Sequence, residues 1–327
     1  CMRSNKQASL TIKDGYQSPF ALCFTIFGLH LLKNKSIIES NKDVWIVFLK
    51  ENLDSFKESR ILLSSSIADD KPYLQLLTFT LSALYILDAI SENPLKEHVL
   101  PLIDRDDMFG VLTAKGSFQG EAQSGNFSMF YAILLEHSSL YLDIDTGDSI
   151  QEWIDRHLSS INKNGFWGDS KDITYLQFQN GYHQYEMFDY FNVNNNLHDI
   201  AAQNVMKLSD KNGFFAPYPG GGGCFDYDAV FIISTSGDKI IKESRCQLKK
   251  TMSSILSAQN NDGGFSESQF IRPRSLNNAH LMIRHIVNSD NALSRLECFK
   301  YGLTLFRSKH NHINTHWSNN TREWGES

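Results

Sequence analysis

Asn162-Lys163-Asn164-Gly165-Phe166-Trp167 and Asp210-Lys211-Asn212-Gly213-Phe214-Phe215 are near copies of one six-residue phrase. Residues 259–265 also end in Gly-Phe, and residues 114–118 end in Gly-Ser-Phe. Residues 52–59 are a weaker fifth copy. The four phenylalanines that align are spaced 48, 48 and 51 residues apart, at Phe118, Phe166, Phe214 and Phe265. Such even spacing predicts a structural repeat of roughly 50 residues.

The sequence between the phrases is typical of helices. Before a phrase, apolar side chains recur at intervals of three and four, as in Ile150, Trp153, Ile154 and Leu158. After a phrase the sequence is apolar over most of a helical surface, which is typical of a buried helix. Each repeat is therefore predicted to be a helix, a Gly-Phe turn and a second helix, in an all-α protein.

The repeats predict about six buried and six partly exposed helices within one domain, residues 1–327. The buried helices are expected near 19–33, 72–90, 123–142, 176–191, 226–236 and 276–288. Their partners are expected near 43–51, 95–104, 148–161, 197–209, 239–258 and 292–307. An open superhelix needs polar terminal repeats, and here the first and last buried helices are as apolar as the others. A closed α/α toroid, an (α/α)6 barrel of inner and outer helices, is therefore favoured over the open superhelix.

Composition narrows the functional classes. The net charge of −6 argues against a nucleic-acid partner, and no apolar run is long enough for a membrane span. Five cysteines are scattered without a CxxC pair, which favours reduced thiols in a cytoplasmic protein. The expected partner is a small-molecule or oligosaccharide ligand.

The phrase Gln259-Asn260-Asn261-Asp262-Gly263-Gly264-Phe265 resembles the Q-x-x-D-G-G-F/W repeat of the terpenoid cyclase and protein prenyltransferase toroids. The two shorter phrases around Gly165 and Gly213 are similar, so the resemblance covers roughly residues 50–270. It implies that the turns gather at one end of a ring, and that the inner helices begin there and line a central pocket.

The resemblance implies two alternative chemistries. Class II cyclases protonate an alkene or epoxide with a D-x-D-D acid, and Asp226-Tyr227-Asp228-Ala229 is similar except for its last residue. Prenyltransferase β subunits bind zinc through Asp, Cys and His, and Cys224 and His280 resemble the last two ligands. Gly222 stands at the Asp position, so little or no bound zinc and no other cofactor is expected.

Polar residues cluster in and just after the first turns of the predicted inner helices. Buried polar groups are costly unless they are satisfied, so several at one end of successive apolar helices predict a shared pocket. For any single residue, a helix cap or a satisfied core hydrogen bond is the alternative. The predicted ligand-binding residues are Asn126, Asn180, Tyr182, Tyr185, Glu186, Tyr227, Asn278 and His280.

The predicted catalytic residues are Asp226, Asp228 and His183. The two acids follow a four-glycine loop and open an apolar run, and residues two apart on a helix point in different directions. Asp228 is predicted to face the pocket as the acid, with Asp226 as helix cap or second acid. His183 is expected to form an acid–base pair with one of them, and it shares a helix face with Glu186.

Three functions remain open from these residues. The first is a terpenoid-cyclase-like enzyme with Asp228 or Asp226 as acid. The second is a carbohydrate-active α/α-barrel enzyme, a glycosidase or lyase, that uses Asp, His and Tyr in the same pocket. The third is a non-catalytic toroid that binds a ligand.

Overall fold

The computed structural model describes residues 18–62, 66–121, 123–169, 172–221, 224–257, 259, 276–289 and 292–307. Within these ranges every element of regular structure is a helix, which confirms the all-α prediction. None of these helices is long and apolar enough to span a bilayer.

Thirteen α-helices follow one another along the described chain. They are α1 (Pro19–Leu31), α2 (Lys35–Ile61), α3 (Lys71–Ile86), α4 (Lys96–Val99), α5 (Arg105–Ala114), α6 (Ser124–Tyr141), α7 (Gly147–Ser160), α8 (Tyr175–Tyr190), α9 (His198–Met206), α10 (Cys224–Ser234), α11 (Asp238–Ser257), α12 (Leu276–Asn288) and α13 (Ala292–Arg307).

Five helices form an inner row in which each packs against the next, in the order α1, α3, α6, α8 and α10. Their surfaces are mostly covered: α6 buries 11 of its 18 residues and α8 buries 10 of 16. An outer layer lies against this row, with α2 on α1 and α3, α7 on α6, and α9 and α11 on α10. The outer helices are amphipathic, and α7 buries only Trp153 and His157. The predicted alternation of buried and partly exposed helices is therefore present.

One predicted outer helix and one predicted copy of the phrase differ from the structure. The helix expected over 95–104 is broken into α4, a 3-10 turn at Leu100–Leu102 and α5, because Pro101 interrupts it and Asp104 caps a new helix. The weak fifth phrase at 52–59 lies inside α2 and forms no turn. It lacks a glycine, and Leu53 is fully buried there as part of a continuous apolar face.

The two copies of the phrase fold into the same turn. In the first, the N–H of Asn162 donates to the carbonyl of Phe166 at 2.7 Å. In the second, the N–H of Asp210 donates to the carbonyl of Phe214, also at 2.7 Å. The side-chain oxygen of the first residue accepts backbone N–H groups inside each turn. Asn and Asp suit this position because their side-chain oxygen can accept the backbone N–H groups of the following residues, as in many turns.

The glycines of these turns have positive φ, with +84° at Gly165 and +94° at Gly213. A Cβ added at Gly165 would come within 2.7 Å of the Cβ of Ala201 in α9. The phrase therefore needs glycine both for its backbone conformation and for close packing against the next helix. Gly264 lies outside the described residues.

The helix hairpin α12–α13 is anchored to the N-terminus of α8. The carboxylate of Glu297 accepts the N–H of Tyr175 at 2.7 Å and that of Leu176 at 3.0 Å. Thr174 and Gln177 form a capping box that satisfies the next N–H. All the N–H groups that the first turn of α8 leaves without helical partners are thus paired. The hairpin also contacts α10, since the ring centroids of Tyr301 in α13 and Phe225 in α10 lie 5.8 Å apart.

Candidate functional site

A stripe of partly exposed side chains runs along the inner helices at intervals of three and four residues. On α8 it contains Gln179, His183 and Glu186, and on α10 it contains Cys224 and Tyr227. Asn126 continues it on α6. These six residues are called the inner face below. Because residues at this spacing share one side of a helix, each inner helix contributes one edge to a common surface.

Contacts between neighbouring helices join these residues. The amide nitrogen of Asn126 lies 2.9 Å from Nε2 of His183, linking α6 to α8. Nε2 of Gln179 donates to the sulfur of Cys224 at 3.5 Å, linking α8 to α10. The inner face is therefore continuous across three helices.

Lys71, at the start of α3, belongs to the same surface. Burial lowers the pKa of its ammonium group, and the neighbouring Cys224 thiol opposes that shift. Two helices of the row, α6 and α8, separate α3 from α10, so this proximity means that the row curves. The sequence analysis missed Lys71, although a lysine in the first turn of an apolar helix is the same signal that identified the others.

His183 does not pair with Asp226 or Asp228. Its Nε2 accepts from Asn126, which puts the ring proton on Nδ1. That nitrogen lies 3.7 Å from Oε2 of Glu186, beyond hydrogen-bond distance, and has no hydrogen-bond partner among the described residues. The imidazole is therefore held on one side by Asn126 and presents an available N–H toward Glu186.

Asp228 is the carboxyl group with the most perturbed environment. It is 3% exposed, and its pKa is raised to about 9, first by burial and then by the negative charges of Glu186 and Asp226. At neutral pH it is therefore a neutral carboxylic acid that carries a proton. This is the state that a general acid needs.

Asp226 has a different role from its neighbour two residues along. It is 1% exposed, and its Oδ1 accepts the backbone N–H of Phe215 at 2.7 Å. Gln177 makes the comparable contact one repeat earlier, where its amide donates to the carbonyl of Trp167 at 3.3 Å. Both side chains fasten the first turn of an inner helix to the Gly-Phe turn before it. Asp226 is therefore a positioning residue for α10.

Tyr182 packs between the acidic groups and the aromatic side chains of α10. Its ring centroid lies 5.6 Å from that of Tyr227 and 5.5 Å from that of Phe231. Burial raises the pKa of its phenol, and the nearby groups of Glu186 and Tyr227 raise it further. Tyr182 therefore keeps its proton and can donate a hydrogen bond to Glu186.

Three of the other predicted binding residues are not part of the inner face. Tyr185 is 1% exposed and donates to the carbonyl of Gly165 at 2.6 Å, so it is a core residue that supports a turn. Asn180 is buried where its backbone meets Gly125 of α6. His280 is exposed on α12. The side chain of Asn278 lies outside the described residues.

The structure offers no metal site among the residues it describes, since no group of three or more His, Cys, Asp or Glu side chains comes together there. Cys224 contacts an amide and lies near an ammonium group, and neither of these is a zinc ligand. The expectation of little or no zinc at Cys224 and His280 stays a prediction.

An aromatic cluster lies further along α1 and α3. The rings of Phe24 and Phe79 are 5.3 Å apart, and Phe27 lies 6.0 Å from Phe79. Phe79 follows Lys71 by eight residues on α3, which is close to the same helix face. Phe24 remains 38% exposed. The surface that carries the inner face is thus extended by an apolar aromatic patch.

Comparison of the chain with protein-family models, with curated proteins and with solved structures found no match.

Proposed function

We propose that the chain is a terpenoid-cyclase-like enzyme in which Asp228 protonates a ligand bound on the inner face. The observation that carries this proposal is the burial of Asp228, which is 3% exposed and lies near Glu186 and Asp226, an environment that raises its pKa to about 9. A carboxyl group that keeps its proton at pH 7 can act as a general acid. The resemblance of the Gly-Phe phrases to the toroid repeat supports the same reading, and we include the closed ring of six hairpins in the proposal.

In this proposal the proton of Asp228 passes to an alkene carbon or an epoxide oxygen, and the ligand becomes a cation. The aromatic patch of Phe24, Phe27 and Phe79 supplies ring faces that stabilise a positive charge. Glu186 is the base on the same surface that can take a proton back when the reaction ends. Tyr227, which is 58% exposed, is the side chain that we expect to move aside for the ligand.

The test uses an acyclic isoprenoid alkene and its terminal epoxide, with products identified by gas chromatography and mass spectrometry. We expect cyclic isomers of unchanged mass from the wild-type chain. Asp228→Asn should lower turnover by at least about 100-fold, the scale of a lost general acid. Asp238→Asn, at the start of α11 on the outer layer, is the matched control and should turn over normally. Equal turnover in Asp228→Asn and wild type would exclude the proposal.

A second candidate, a carbohydrate-active enzyme, is favoured by the pairing of Asp228 with Glu186. Asp228 is protonated, and Glu186 is near enough to raise the pKa of Asp228. Glycosidases use such a pair, with one carboxyl group as acid and the other as base or nucleophile. Asn126 and Gln179 add amides suited to hydroxyl groups. A panel of nitrophenyl glycosides tests this candidate, and Glu186→Gln should then abolish release of nitrophenol. If neither panel is turned over but either binds, the non-catalytic ligand-binding toroid becomes the better description.

A further inference from the structure

A cavity of about 510 Å³ is lined by residues 207–212, which include the start of the 210–215 turn, and by residues of the α12–α13 hairpin. None of the residues that line it belongs to the inner face. Part of its wall is apolar, formed by Tyr175, Leu208 and Leu281. Its volume is in the range of small-ligand sites, which runs from about 300 to 1,000 Å³.

The rest of the wall is rich in positive charge. Lys207, Lys211 and Arg284 line the cavity, and Asp210 is the one acid among the described lining residues. The carboxylate of Asp210 is occupied inside its own turn, where it accepts the N–H groups of Asn212 at 2.7 Å and Phe214 at 3.0 Å. Among the described residues no carboxylate forms an ion pair with any of the three cations. Among the described residues, the wall therefore carries more positive than negative charge, with three cations and one carboxylate.

His285 supplies a hydrogen-bond acceptor in the same wall. It bonds the backbone of Ala216, and its other ring nitrogen, Nε2, is buried with no hydrogen-bond partner among the described residues. Burial lowers the pKa of this imidazole, so the ring is neutral at pH 7 and Nε2 is an acceptor. A ligand that satisfies the whole wall must therefore carry negative charge for the cations and a proton donor for His285.

We propose that this cavity binds a phosphate monoester with an apolar body, held by Lys211, Arg284 and His285. Phosphate suits both requirements, because near neutral pH a monoester retains a P–OH group in part of the population while it carries negative charge. Arginine and lysine bind phosphate oxygens through charge-assisted hydrogen bonds. A carboxylate offers the charge without the donor, so it satisfies the cations and leaves Nε2 unpaired. The apolar wall receives the organic part of the ligand.

Isothermal titration with phenyl phosphate, benzoate and benzyl alcohol tests the proposal. Phenyl phosphate should bind most tightly, benzoate more weakly, and benzyl alcohol least. Arg284→Gln and Lys211→Gln should each weaken phenyl phosphate by about tenfold, the scale of one charge-assisted bond. His285→Phe should reduce the preference for phosphate over benzoate, since it removes the acceptor and keeps a ring of similar size.

Lys242→Gln, an exposed lysine of α11 that does not line the cavity, is the matched control and should bind like wild type. Arg284 is exposed, so its variant should keep the wild-type melting temperature and circular dichroism spectrum. Equal binding of the alcohol and the phosphate would overturn the proposal, as would wild-type phosphate affinity in both cation variants. Benzoate binding as tightly as phosphate would overturn the assignment of phosphate. Activity on the inner face is not part of any of these measurements.

Discussion

At the scale of single residues, Asp228 and Asp226 differ because of where their carboxyl groups lie. Both are almost fully buried. Asp226 accepts a backbone N–H, whereas Asp228 is buried near the charges of Glu186 and Asp226. A hydrogen bond from an N–H favours a carboxylate, and burial beside other acids favours the protonated form. Two identical side chains in one helix turn therefore carry out different tasks.

Asp228→Asn is expected to stabilise the protein at neutral and higher pH. The pKa of Asp228 is near its ordinary value in the unfolded chain and about 9 in the folded protein, so folding takes up a proton between those values. The free energy of unfolding therefore falls as the pH rises between these two pKa values, by up to about 1.4 kcal/mol per pH unit. The asparagine of the variant does not titrate. The difference in free energy of unfolding between Asp228→Asn and wild type, measured by urea denaturation, should therefore grow in favour of the variant from pH 5 to pH 8.

Asp226→Asn, the same substitution two residues earlier, is the control. It weakens the bond to the N–H of Phe215, so it should lower the free energy of unfolding by about 1 kcal/mol. If Asp228→Asn instead behaves like Asp226→Asn, with a loss that does not change with pH, Asp228 is ionised in the folded protein and the proposed acid is absent.

The directions of these two acids could be predicted from sequence, because positions two apart on a helix cannot share a face. The hydrogen-bond partner of His183 could not be predicted from sequence. Its contact with Asn126 depends on how closely helices α6 and α8 approach each other. That separation is set at Gly125, where a Cβ would lie 1.9 Å from the carbonyl oxygen of Asn180. Glycine in an apolar helix is compatible with many helix separations, so the sequence alone did not specify the contact.

At the scale of elements, the Gly-Phe turns decide how each helix pair is joined. The turn at 210–215 also joins two regions, since the N–H of Phe215 donates to Asp226 of α10 and Asp210 lines the cationic cavity. The turn was predictable because its hydrogen bonds are local and require Asn or Asp first and Gly fourth. The outer helices were less predictable, since breaks such as that at Pro101 depend on their packing against the row.

Gly165→Ala is expected to destabilise the protein by about 1–3 kcal/mol. The substitution forces a Cβ into a backbone conformation with φ of +84° and against Ala201 and Leu197 of the following segment. Thermal unfolding followed by circular dichroism measures the effect. Gly28→Ala within α1 is the matched control, because a Cβ there meets nothing within 4 Å and alanine favours helix. A neutral Gly165→Ala would mean that the turn is not required for packing.

At the scale of the whole molecule, buried histidines make the fold sensitive to acid. Burial lowers the pKa of His98, His137, His157, His198 and His285, and that of the fully buried His157 falls to about 3. Their neutral rings bond neighbouring groups; His157 bonds the carbonyl of Trp153 at 2.7 Å and Ser128 at 3.1 Å. Burial disfavours the charged form of these rings, so the contacts are made by neutral imidazoles.

The expected result is a loss of stability as pH falls below about 6.5. The unfolded chain takes up a proton at each of these histidines there, and the folded protein does not. For His157 the loss reaches on the order of 2 kcal/mol at pH 5. Asp228 changes stability in the opposite direction, so the histidine effect is isolated by comparing His157→Gln with wild type. Urea denaturation at pH 7 and pH 5 should show a smaller decrease in the variant; equal decreases would contradict the assignment.

The all-α class and the alternation of inner and outer helices followed from the repeat, because burial alone dictates which helices are apolar all round. Closure of the ring remains a prediction. It depends on contacts between the first and last hairpins, which a pattern with a period of roughly 50 residues does not specify. The hydrogen bonds from α8 to Glu297 join repeats that are not neighbours in sequence, and no periodic signal could have identified them.

The contact between Glu297 and the start of α8 has a consequence for folding during synthesis. Glu297 and Tyr175 are 122 residues apart, so the start of α8 leaves the ribosome long before its partner exists. At a synthesis rate of about 5–20 residues per second, the delay is roughly 6–24 s. During that time the first two amides of α8 are exposed to water while the helices before it are already able to fold. The central helix of the site is thus completed last, and by a segment from the far end of the described chain.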